Sequence, residues 1–130
     1  MYGPIFIGAV REVFPQGGNP VIDVWDTTPP KDWVVSADPA RARGFVLFQD
    51  VGGVPTYFTE GNMAEQSNAR LQITLWASTP QLRYTWSRAL MKHLAKHPQF
   101  EPLDSPQSLH DTNTELYGSR FDVSCWYDAD

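Results

Sequence analysis

The chain has 130 residues, 42% of them apolar and 13% aromatic, with a net charge of −5 and a pI near 5.0. That length fits one domain spanning residues 1–130, which buries roughly 65–70% of its unfolded surface and so forms a core without metal or disulfide staples. The acidic balance argues against nucleic-acid or membrane binding as the whole-chain role, and the single Cys125 excludes an internal disulfide and points to a reducing compartment.

Residues 4–14 read as a helix, with Pro4 suited to its first turn and Phe6, Ala9, Val10 and Val13 as its buried stripe. The N-terminal residues have neither a basic lead nor a long apolar run, so no secretory signal is expected. No stretch approaches the roughly 18 apolar residues of a membrane span. Residues 21–25 form a short strand or extended segment. Residues 27–43 follow as a polar, proline-rich loop, long for a compact domain. Residues 44–49 and 55–59 are apolar, aromatic and β-branched, and they flank glycines suited to a hairpin turn.

The stretch 68–98 is the most informative. Leu71, Ile73 and Leu75 alternate with Arg70, Gln72, Thr74 and Trp76, the period of a half-buried strand over residues 69–77. Ser78, Thr79 and Pro80 give a cap and a favoured first turn for a long helix, which Pro98 ends. Leu82, Trp86, Ala89, Leu90 and Leu94 form its core stripe, and Tyr84, Arg88 and Met91 fall on the opposite side. Residues 98–114, with three prolines, read as loop. Residues 117–127 are the last strand, with Phe121, Val123, Cys125 and Tyr127 alternating against Arg120, Asp122, Ser124 and Trp126. The order α-β-β-β-β-α-β predicts an α+β fold, a mainly antiparallel sheet with two helices on one face.

Charge is unevenly spread. Residues 66–100 carry five Arg/Lys and no acid, between two acidic flanks. A basic middle between acidic ends suits pairing within the chain, and it equally suits a head-to-tail contact between subunits. For the second case the expected basic side is Arg70, Arg83, Arg88 and Lys92, and the acidic side Asp50, Glu60 and Glu65. Trp76, Tyr84 and Met91 would supply apolar contact area. Trp76 and Trp126 have a second reading, as residues covered by the 27–43 loop.

Reactive groups are scarce. His93 and His97 have a metal-ligand spacing, but His97 precedes a proline and no Glu lies between them, so they read as helix-end residues. Cys125 sits in the core alternation and reads as a buried thiol, not a nucleophile. Neither Gly17-Gly18 nor Gly52-Gly53 is followed by the Lys-Ser/Thr of a phosphate loop. The carboxylates are scattered without an acid–base pair. Arg83, Arg88, Lys92 and Lys96 spread around the helix, unlike a nucleic-acid-binding face. No cofactor, metal or catalytic residue is expected.

From residue 44 onward, about two thirds of the chain, the sequence resembles the tail terminator or tail-completion (minor tail) proteins of long-tailed phages. The likeness rests on GFVLFQD, on NARLQITLWASTPQ running straight into the long helix, and on the closing strand YGSRFDVSCWYD. The step Val13-Phe14-Pro15 after the first helix fits as well, while the segment 27–43 departs from the pattern. The resemblance implies a non-enzymatic subunit of a phage or prophage tail, assembled in the host cytoplasm into a ring of, usually, six copies. Such a ring ends tube polymerisation and presents a surface to the head, so its partners would be itself, the tail tube protein and a head-completion or connector protein. The alternatives are a head–tail joining protein of related fold, or a small α+β ligand-binding domain or enzyme with a closed cavity holding perturbed carboxylates.

Overall fold

The computed structural model describes residues 2–30, 43–52 and 66–128. In chain order the elements are helix α1 (Tyr2–Val13), strands β1 (Val21–Asp26), β2 (Arg43–Asp50) and β3 (Gln66–Ala77), helix α2 (Pro80–Lys96), and strands β4 (Phe100–Pro102), β5 (Gln107–Asp111) and β6 (Leu116–Asp128). They build an α+β fold around one sheet of order β1-β2-β3-β6-β4, with β5 also on β6.

The two alternating strands set the centre. β3 and β6 pair antiparallel with Leu71 opposite Val123, Ile73 opposite Phe121 and Ala69 opposite Cys125. All six side chains are buried, so the two apolar rows face the same way, as the period of two requires. Val46 and Phe48 of β2 continue that face beside Leu75 and Ile73. Both helices cover it. Phe6 of α1 packs on Phe48 with ring centroids 5.0 Å apart, Phe14 meets Trp86 of α2, and Leu90 and Leu94 complete the cluster. Arg11, in the last turn of α1, donates to the Ile22 carbonyl at 2.7 Å and ties the helix to β1.

Local chemistry sets the ends of α2. Thr79 is extended and its Oγ1 accepts from the Leu82 N–H at 3.1 Å, with Pro80 next. At the other end the residue before Pro98 is disfavoured in helical geometry, and His97 is extended with ψ 132°.

Two glycines make room for two tryptophans. A Cβ at Gly44 would lie 2.6 Å from the Trp86 ring on the helix side. A Cβ at Gly118 would lie 2.9 Å from the Trp76 ring on the opposite side. Gly52, with φ +112°, turns the chain so that Val51 donates to the Arg70 carbonyl at 2.8 Å.

The structure departs from the sequence reading in two places. Residues 98–114 are not simply loop: β4 pairs with Val123–Cys125 and β5 with residues 116–120. β6 has 13 residues, long enough to hold two short strands in succession along one edge. The second departure is that β1 and β2 run parallel. A parallel pair needs a crossover of a dozen or more residues, which gives the long 27–42 connection a topological reason. The expected strand at 55–59 lies outside the described residues.

Candidate functional site

An open groove of about 580 Å³ runs along α2 on the side of β4 and β5. The helix supplies two adjacent stripes at steps of four. Arg83, Ser87 and Met91 face inward, and Tyr84, Arg88 and Lys92 form the rim. The far wall is Pro102, Pro106 and Ser108, and Ser119 of β6 lies at the base. The groove exists because the residues meeting across it are small. Ser87 and Ser119 are buried, and both line the groove with Ser108.

The rim is held in place. Arg88 Nη1 donates to Tyr84 Oη at 2.7 Å, and its guanidinium lies 5.9 Å from the Tyr84 ring centroid, a four-residue helix pair. Tyr84 is 59% exposed. At the helix start, the Arg83 guanidinium lies 5.9 Å from the Tyr117 ring, which stacks on His110 with centroids 4.5 Å apart. No carboxylate among the described residues stands within ion-pairing distance of Arg83, Arg88 or Lys92. None lines the groove either.

Of the interface residues expected from sequence, the structure therefore gathers Arg83, Tyr84, Arg88, Met91 and Lys92 into one feature. Met91 differs in one respect. It is not on the face opposite the core stripe but packs against the core's edge, because it stands one helical turn beyond the buried Ser87.

The other expected residues stand elsewhere. Arg70 lies on the sheet face turned away from the helices and pairs with Asp122 across β3–β6 at 2.8 Å. That is pairing within the chain, between the basic middle and the acidic last third. Trp76 shares that face. Its ring rests on Gly118, and it stands opposite Phe45, whose ring is 5.5 Å from Trp25. Asp50 closes β2, on the other side of the central β3–β6 pair from the groove, and its Oδ1 accepts from the Gly52 N–H at 3.0 Å. Glu60 and Glu65 lie outside the described residues. Ser87, Pro102, Pro106, Ser108 and Ser119 were not legible as site residues, since their meeting depends on where β5 pairs.

The remaining reactive groups are occupied by structure. His93 Nε2 lies 3.4 Å from Glu12 Oε1 of α1, at ion-pair distance but without hydrogen-bond geometry. His97 Nδ1 accepts from the Gln99 N–H at 3.2 Å, and its ring packs against Phe100. Among the described residues no group of three His, Cys, Asp or Glu is placed to hold a metal ion. Cys125 is fully buried, and burial pushes its thiol up to about 11. Among the described residues no helix is long and apolar enough to cross a membrane.

The groove combines apolar lining at Met91, Ala95, Pro102 and Pro106 with the cations Arg83, Arg88 and Lys92, a chemistry for receiving an anionic ligand that also brings apolar side chains. No protein-family model matches the chain, and no curated protein sequence matches it.

Proposed function

We propose that this chain is a non-enzymatic structural subunit of a phage or prophage tail. In this reading it assembles into a ring, of six copies, that caps the tail tube, ends tube polymerisation and offers a joining surface to a head-completion or connector protein. The observation that carries the reading is the outer face of α2. There Tyr84 is largely exposed, and Arg83, Arg88 and Lys92 have no acidic partner among the described residues, beside an apolar groove. Such a face suits a subunit in a head-to-tail ring, which needs one complementary to a different patch on its neighbour. The sequence pattern from residue 44 onward supports the same reading, because the segments that carry the resemblance are β2, β3 with the start of α2, and β6. The groove has the size of a small-molecule site, yet among the described residues its lining holds none of the carboxylates that a general acid–base reaction would use.

The test is tube assembly. A tail tube protein is polymerised with and without the purified chain, and tube lengths are measured by electron microscopy. The reading expects short tubes with added density on one end. Unchanged lengths with no terminal density, together with failure to bind the connector protein, would refute it.

A further inference from the structure

We infer that the α2 groove seats a second copy of this chain by the edge that carries Asp26 and Asp50, these two meeting Arg88 and Lys92 while Tyr2 and Val51 meet the apolar lining at Met91 and Pro102. This rests on the ring reading and names the neighbour's patch that such a ring requires.

Charge narrows the choice of patch. Arg83, Arg88 and Lys92 border the groove without a carboxylate partner among the described residues. A matching surface must bring acids whose charge is not already engaged, with apolar area beside them. Several described acids are engaged. Glu12 faces His93, Asp23 pairs with Arg43, Asp122 pairs with Arg70, and Glu115 lies 3.7 Å from His110. The Asp111 carboxylate accepts from the Asn113 N–H. Glu101 and Asp104 stand on β4 and just after it, on the groove's own side, so contact through them would be a symmetric pair and not a head-to-tail one. Asp26 and Asp50 differ. Both are exposed, and neither is within ion-pairing distance of a cation among the described residues.

The fold gathers these two acids beside apolar area. By alternation Asp26 follows Ile22, and Asp50 follows Phe48, on the face that the helices cover. Tyr2, at the start of α1, packs there with its ring 6.5 Å from Phe48 and 6.0 Å from Tyr127. Burial, then Asp50 and Asp26, hold the Tyr2 hydroxyl above its ordinary value, so both carboxylates act on one hydroxyl. Val51, next to Asp50, is 46% exposed.

Placement requires a second copy. Asp26 and Asp50 lie on paired strands, in register with Phe48 and Leu71, so their positions are fixed. The groove's far wall is on β4 and β5, beyond β3 and β6, which is three strand spacings from β2 and four from β1. At about 4.8 Å per spacing that is roughly 14 and 19 Å, several times an ion-pair distance. Two complementary patches on different sides of one molecule are what a head-to-tail contact uses.

The test is sedimentation velocity of full-length variants at low salt, each checked for an unchanged melting curve. Asp26→Asn with Asp50→Asn keeps the oxygens that accept from Thr27 Oγ1 and the Gly52 N–H and removes only charge. It should weaken self-association about fivefold. Asp26→Lys with Asp50→Lys, and separately Arg88→Glu with Lys92→Glu, should each weaken it at least about tenfold, since attractions become repulsions. An equimolar mixture of the two reversed proteins should recover assembly, because every joint between unlike copies is again complementary. Acid variants that associate like wild type, or a mixture that stays monomeric, overturn the inference. If the groove variant alone dissociates, the ring reading survives through another patch. Rescue by mixing into open-ended filaments keeps this contact and removes the closed ring. Wild type that stays monomeric at every concentration, with tail tubes added, overturns both.

Discussion

Replacing Gly44 with alanine tests the packing that fixes α2, and with it the groove, against the sheet. A Cβ there would lie 2.5 Å from the Trp76 carbonyl oxygen and 2.6 Å from Trp86 Cζ3. Unstrained carbon contacts lie at about 3.5–4.0 Å, so each is short by roughly 1 Å. The carbonyl belongs to β3, which is paired on both sides, and Trp86 is 5% exposed, so neither has free space to move into. Overpacking of this kind costs about 1–3 kcal/mol, and the upper end applies where main chain must shift. The lower backbone entropy of alanine in the unfolded chain returns about 0.4–1 kcal/mol. The net loss is about 2 kcal/mol. With an unfolding entropy of about 2.1 cal/mol/K per residue, that is a fall in Tm of about 7 °C for this chain. The assay is thermal melting followed by near-ultraviolet circular dichroism, which reports the tryptophans. Adding Trp86→Leu removes one of the two contacts and leaves the carbonyl, so it should not restore the wild-type Tm. A Gly44→Ala variant as stable as wild type, or more so, would refute the reasoning, since without the close contacts the entropy gain alone would be stabilising.

Val123→Asp places a carboxylate at a fully buried position beside Leu71, at a cost of several kcal/mol, and should abolish cooperative folding; a soluble variant with a sharp melt would contradict the register. Thr79→Ala removes the acceptor for the Leu82 N–H and should lower stability by about 1 kcal/mol, measured by urea unfolding. Cys125 has its thiol raised from 9.0 to about 11 by burial, so its contribution is fully present below pH 9 and is lost as pH rises through 11. Unfolding free energy should therefore fall more steeply over that window in wild type than in Cys125→Ala, and the folded thiol should resist iodoacetamide at neutral pH; equal slopes or rapid alkylation would contradict the buried placement.

What the sequence made legible follows from how the information is stored. Alternation in β3 and β6 is local, so the sequence alone places Leu71 and Ile73 on one face of β3 and Phe121, Val123 and Cys125 on one face of β6. The Thr79-Pro80 cap and the Pro98 stop are local too, and α2 falls between them. β4 and β5 carry no such signal. They are three and five residues long, too short to show a period, and set among prolines, and they are strands only because β6 offers them an edge. The parallel sense of β1 and β2 belongs to the pair, not to either segment. The site divides in the same way. The cationic and aromatic residues of α2 could be named from the helix period, but the far wall needs β5 in place. The small residues that leave the groove open, Ser87, Ser108 and Ser119, look like ordinary surface serines in sequence. Arg70 resembled the other cations in the charge map, and only the β3–β6 register reveals Asp122 as its partner.

Sedimentation velocity of wild type and Arg88→Glu, each over a range of concentrations at low and high salt, tests self-association through the α2 face most directly. Wild type should form a discrete ring-sized species that weakens with salt, and Arg88→Glu should shift toward monomer at the same concentration with an unchanged melting curve. Monomers of both proteins at every concentration and salt, with tail tubes added as well, would contradict the account.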